Sequence, residues 1–263
     1  MRPRAAPLVA LLALLAAGAA SAAGPARHWY AVEVVVFAWT DPAQRLTERW
    51  SEEARVPEVP EDAVEPGTLA PVPAGRPVAS LPAGDASLLA ETWARLERSG
   101  AVRPLVRAAW RQAPLGPDGA VPVRIRGGLP EGPWLRPEAL EPPLSQESGD
   151  VPADQPGIAV EAGPYVPPEA VDGTVRVTLS RYLHVAVDLA YRGALPVEVT
   201  DPVTGAGMTT ERRQVFRLHQ RRRVRLGEVH YFDHPAFGVL VRVRRVPCPE
   251  GAGCAGADGT GGR

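Results

Sequence analysis

The sequence predicts an α+β fold: a mostly antiparallel β-sheet of about five to seven strands, with one main helix packed on it and long Pro-rich loops. Three observations predict it. Apolar and polar residues alternate in several segments, as they do in a half-buried strand. One stretch, Asp85 to Gly100, has helical spacing and end signals. Two segments, Asp41 to Leu81 and Gly128 to Asp172, are too rich in proline and acid to bury much apolar surface.

Arg2 and Arg4 precede an apolar run, Pro7 to Ala20, and the small-residue site Ala20-Ser21-Ala22. This is the pattern of a secretory signal peptide, and the run is short for a membrane span. Residues 1–22 are therefore read as a cleaved leader. No cysteine follows the site, so no lipid attachment is expected there. The remainder is read as one α+β domain, 23–247, interrupted by loops at 41–84 and 128–172 and followed by a flexible tail, 248–263. No later stretch is apolar enough to span a bilayer, so the mature chain is expected to be exported and soluble.

Trp29 to Phe37 reads W-Y-A-V-E-V-V-V-F, apolar on both faces, which suits a central strand. Glu33 there needs an arginine partner or an exit to solvent. Trp50 is the one anchor in the loop that follows. In the helix, Leu89, Trp93 and Leu96 form an apolar stripe, Asp85 is the N-cap and Gly100 follows the C-terminus. Val102 to Gln112 and Val121 to Arg126 are strands with arginines on one face. Thr174 to Tyr191 alternates for its whole length, which exceeds the usual ~3–10 residues of a strand, so a bend is expected near Ser180-Arg181.

The stretch from Gln214 to Arg245 carries the most chemistry. Phe216, Leu218, Val224 and Leu226 fall on one parity; Arg217, His219, Arg221, Arg223 and Arg225 fall on the other. Val239, Val241 and Val243 resume the alternation after Glu228 to Gly238. The stretch is read as two long antiparallel strands joined by an aromatic, His- and Asp-rich corner. From Arg212 to Arg245 there are ten arginines and two acids; from Gly128 to Asp172 there are nine acids and one arginine. The chain has no lysine, so its cationic side chains other than histidine are planar forks suited to carboxylates.

Catalytic signatures are absent: there is no G-x-S-x-G, S-x-x-K or H-E-x-x-H. His230, Asp233 and His234 would under-ligate a metal, and no cofactor is called for. The reading is not an enzyme. Cys248 and Cys254 leave two alternatives open, a short-loop disulfide or two thiols on a tail, and an oxidising compartment favours the first. Sugar binding needs aromatic faces and arginine forks. Arg217, Arg221 and Arg223 share a face, Arg181 can reach it through the expected bend, and Tyr231, Asp233 and His234 lie at the end of the row. These are the candidate ligand-binding residues. Nucleic acid would suit the same face, but export argues against it.

Four pieces resemble the CsiV family of periplasmic peptidoglycan-binding proteins: W-Y-A-V-E-V-V-V-F, W-R-Q at Trp110 to Gln112, L-S-R-Y-L-H at Leu179 to His184, and G-E-V-H-Y-F-D-H-P-A-F-G at Gly227 to Gly238. The resemblance implies a periplasmic accessory protein of cell-wall biogenesis in a Gram-negative envelope. It implies peptidoglycan as ligand, and support for a class A penicillin-binding protein through its outer-membrane lipoprotein activator. The alternative is a general envelope scaffold that contacts proteins and not glycan.

Overall fold

β1 (Trp29–Trp39) is buried on both faces over nearly its whole length, because it is the middle strand of a layered structure. In the computed structural model, residues 28–66, 78–81, 89–113, 116–117, 119–135 and 165–249 are described. The expected leader, the N-cap Asp85 and Cys254 lie outside them. Cys248 is not a free thiol.

Among the described residues, nine strands form two antiparallel sheets rather than the single sheet expected. The first has the order β2 (Val78–Ser80), β3 (Val102–Gln112), β1, β9 (Phe237–Val246) and β8 (Val229–Asp233). The second has the order β4 (Pro122–Gly127), β5 (Val171–Leu179), β6 (Leu183–Thr200) and β7 (Gly207–Arg223). Their inner faces share one core. Val32, Val34, Val36, Trp110, Val239 and Val241 meet Val175, Val185, Leu189, Tyr191 and Phe216 there. Burial of these β-branched and aromatic side chains is the main driving force for closing the two sheets.

Helix α1 (Ala90–Glu97) packs against β3. It is shorter than the expected Asp85–Gly100. Its start is tied to the first sheet: Glu33, only 1% exposed, accepts the Leu89 N–H at 2.7 Å. Leu89 is buried, while Trp93 and Leu96 are half-buried.

Two further expectations are corrected. Thr174–Tyr191 is not one bent strand but a hairpin, β5 to β6, turning at Ser180-Arg181-Tyr182 with Leu179 opposite Leu183. The alternation persists through the turn because both strands put the same parity into the core. The strands of the last basic stretch are not partners either. β7 belongs to the second sheet and β9 to the first, and β8 is the edge strand beside β9. The corner after Arg223 carries the chain from one sheet to the other. The arginines of β3 and β4 likewise sit on different sheets.

At one end of the sandwich the first loop is pinned by buried charge. Arg45, within a 3-10 turn at Pro42–Thr47, donates to Glu131 at 2.7 Å, to the Ala194 carbonyl at 2.9 Å and to the Trp39 carbonyl at 2.8 Å. Arg103 reaches the other Glu131 oxygen at 3.0 Å and the Tyr191 hydroxyl at 3.2 Å. Burial pushes the Glu131 carboxyl up, but the two guanidinium groups more than offset it and hold it below its ordinary value. Trp50 is the anchor expected: its ring packs edge-on to Phe216 and stacks on His234, both at 5.0 Å.

Candidate functional site

The outer face of the second sheet is built by strand parity. With Phe216 and Leu218 in the core, Arg217, His219, Arg221 and Arg223 project outward from β7. Cross-strand pairing sets their neighbours. Arg221 lies opposite Ala186, which lies opposite Arg176; Arg223 lies opposite His184, which lies opposite Thr178. The small side chain of Ala186 thus separates the two arginines Arg221 and Arg176.

Charge on this face is unevenly balanced. Asp188 takes both prongs of Arg217, with Nε and Nη2 each at 2.9 Å, and meets His219 Nδ1 at 3.3 Å. Burial raises the Asp188 carboxyl, the Arg217 fork outweighs it with help from His219, and the net pKa is lowered. Arg124 is held by Asp172 in the same bidentate way, at 3.0 Å for both bonds. Arg176, Arg181, Arg221 and Arg223 have no carboxylate at ion-pair distance among the described residues.

Arg181 and Arg223 share an aromatic partner. The Arg223 guanidinium lies 3.4 Å from the centroid of the Tyr182 ring, and that of Arg181 lies 5.5 Å from it. Tyr182 sits in the β5–β6 turn and is 38% exposed. Stacking holds a guanidinium by its face and leaves its N–H edges for an anion. Next to this cluster, Arg223, Arg225, Glu228 and His230 line a cavity of about 300 Å3. His230 Nε2 accepts the Arg225 N–H at 2.9 Å, which fixes the ring at the cavity wall.

The structure thus brings Arg181, Arg217, Arg221 and Arg223 to one face. It does not bring the other three candidates there. Tyr231 lies on the outer face of the first sheet, stacked on Phe37 at 6.2 Å, and its hydroxyl donates to Asp233. Burial, then the Asp233 carboxylate, pushes that phenol up. His234 is 9% exposed, enclosed by Trp50, Phe216 and Phe237, and its Nδ1 accepts the Ala236 N–H at 3.0 Å. Burial lowers its pKa to about 4, so it is a neutral ring at pH 7. Parity along β7 could not reveal this, because β8 leaves the second sheet altogether.

Tyr182, Arg176 and the Arg225–Glu228–His230 wall were missed by sequence reasoning. Tyr182 had a signal: it adjoins Arg181 within L-S-R-Y-L-H, and a turn residue of that type is seldom needed for packing. The unbroken run Arg221-Arg222-Arg223 also divides. Arg222 turns to the seam between the sheets, where it donates to the Tyr231 carbonyl at 3.0 Å and lies 5.4 Å from the Phe232 ring centroid.

Among the described residues, no three His, Cys, Asp or Glu side chains gather as a metal site, and no helix is long and apolar enough to cross a membrane. No curated protein and no solved structure matches the chain. A family model described as "Peptidoglycan-binding protein, CsiV" matches residues 7–246, most of the 263-residue chain, and the chain accordingly belongs to the CsiV family.

Proposed function

We propose that this protein is a non-catalytic accessory factor of the periplasm that binds peptidoglycan through the outer face of its second sheet. The observation that carries the reading is Arg181 and Arg223 stacked on Tyr182, with Arg221 outward on the same strand face, forks that no carboxylate of the described chain neutralises. Peptidoglycan carries carboxylates on its stem peptides and lactyl groups, and the forks match them in charge and geometry. Arg217 contributes less, because Asp188 already fills its fork. Each exposed contact is weak, ~0.2–1 kcal/mol, so binding rests on several acting together on a polymer that repeats the same groups. The same reading places the protein in cell-wall synthesis, assisting the lipoprotein activator of a class A penicillin-binding protein.

Co-sedimentation of the purified mature protein with isolated sacculi tests the binding. The protein is expected to pellet with sacculi at low salt and to be released progressively as salt is raised, since exposed charge pairs are screened. Binding that salt leaves unchanged contradicts an arginine-led site. Absence of binding at low salt favours the protein-contacting scaffold.

A further inference from the structure

The corner that carries the chain from β7 to β8 is fixed at two points. Val224 is buried, and its N–H donates to the Leu183 carbonyl at 2.9 Å. Gly227 takes a φ of 81°, which its lack of a Cβ permits. Its N–H donates to the Val243 carbonyl at 2.8 Å, and its carbonyl accepts Arg242 Nε–H at 3.0 Å. Arg225 and Glu228 project from the corner, their side chains 77% and 54% exposed. His230 follows on β8. Its Nε2 accepts the Arg225 N–H, which makes Nδ1 the donor of the neutral ring.

These residues and Arg223 line the cavity of about 300 Å3 at the end of the arginine face. The chain around it, residues 181–186 and 221–231, is described throughout. Its charges are two guanidinium forks and one carboxylate. Arg223 rests by its face on Tyr182, which leaves its N–H edges for a ligand. Arg225 Nη1 stands 3.7 Å from Glu228 Oε1, beyond hydrogen-bond length, so neither group has spent its hydrogen bonds on the other. This differs from Asp188 on the same face, whose oxygens are filled by Arg217. A plain anion gains nothing from a carboxylate in its site, and a doubly charged one such as phosphate is repelled by it. A group that carries a carboxylate and an ammonium on one carbon satisfies all three charges.

We propose that this cavity binds the zwitterionic end of a diamino acid in the stem peptide, its carboxylate on the Arg223 and Arg225 forks and its ammonium on Glu228. The proposal rests on the peptidoglycan reading and names the part of the polymer that this end of the site selects. Cross-linking turns the ammonium of such a residue into an amide, which removes the charge that Glu228 takes. The cavity therefore favours strands that are not yet cross-linked, while the rest of the arginine face holds carboxylates wherever they lie along the polymer.

The test is a calorimetric titration of the mature chain with three sugar-free stem tetrapeptides. In one the third residue is meso-diaminopimelate; in the second its side-chain amine is acetylated; in the third it is replaced by lysine, which keeps the ammonium and lacks the carboxylate. The parent is expected to bind the first about fivefold more tightly than either of the others, the scale of one exposed ion pair. Glu228→Gln should bind the first and second alike and keep its preference for the first over the third. Each readout is a ratio within one protein, so partial unfolding, which weakens all three alike, does not imitate it. A Glu228→Gln variant that still prefers the free amine overturns the role of Glu228. A parent that prefers both diaminopimelate peptides to the lysine peptide but does not distinguish free from acetylated amine has a plain anion site, and the zwitterion reading is overturned. A parent that sediments with sacculi but binds all three peptides alike overturns the cavity assignment alone; one that binds neither sacculi nor peptides overturns both readings.

Discussion

At Gly238 an added Cβ would stand 2.5 Å from the Phe37 ring and 2.7 Å from the Tyr231 ring. The two aromatic rings close over β9 at the one position that has no side chain. Gly238→Ala must push them apart, and overpacking of this kind costs about 1–3 kcal/mol, readable as a lower denaturant midpoint. His234 makes a different prediction. Its folded pKa of about 4 lies below the unfolded value of 6.5, so between these values the unfolded chain binds more protons. Stability is then full above about pH 6.5 and falls as the pH drops toward 4. Between pH 7 and 5 the loss from this one group is about 2 kcal/mol. Asp188 and Glu131 have lowered pKa values, so their contributions are lost only at more acid pH, below the carboxylate range of the unfolded chain. Replacing His234 by Gln should flatten the pH 7 to 5 slope; an unchanged slope would mean that another group titrates there.

β7 does two jobs along its length, and its pairing explains both. From Gln214 to Arg223 it pairs with β6 over the core and carries the outward arginines. From Gly207 to Glu211 it continues with β6 as a two-stranded ribbon, and residues Glu198 to Glu211 are exposed almost throughout. The ribbon closes at Asp201, whose Oδ1 accepts the N–H groups of Val203 and Thr204 at 2.7 Å and 2.9 Å. Val199, Val203 and Met208 are exposed on it. Replacing residues 198–209 by a two-residue Asn-Gly turn should leave sacculus binding and the melting temperature nearly unchanged, since that segment buries little. A large fall in melting temperature would instead make the ribbon part of the fold's stability.

Across the whole molecule, what could be read in advance was whatever depends on parity. The central position of β1, the strands at Val102–Gln112 and near Val121–Arg126, and the outward row on β7 all follow from period-two alternation. Which strands share a sheet does not follow from it. Alternation reports that one side of a strand is buried, not what buries it, so β7 and β9 looked like partners when they belong to different sheets around one core. For the same reason Tyr231, Asp233 and His234 looked like a continuation of the arginine row. Their chemistry is spent on the fold: Tyr231 covers Gly238, Asp233 accepts the Tyr231 hydroxyl, and His234 packs beneath Trp50. The central claim is that Arg181, Arg221 and Arg223 on the outer face of the second sheet carry peptidoglycan binding. The measurement that bears on it most directly is sacculus co-sedimentation of R181A/R221A/R223A beside the parent, with the melting temperature of both. Three exposed contacts together are worth about 2 kcal/mol, so the variant should bind roughly thirtyfold more weakly while melting like the parent. A variant that melts like the parent and still sediments as the parent does would contradict the account.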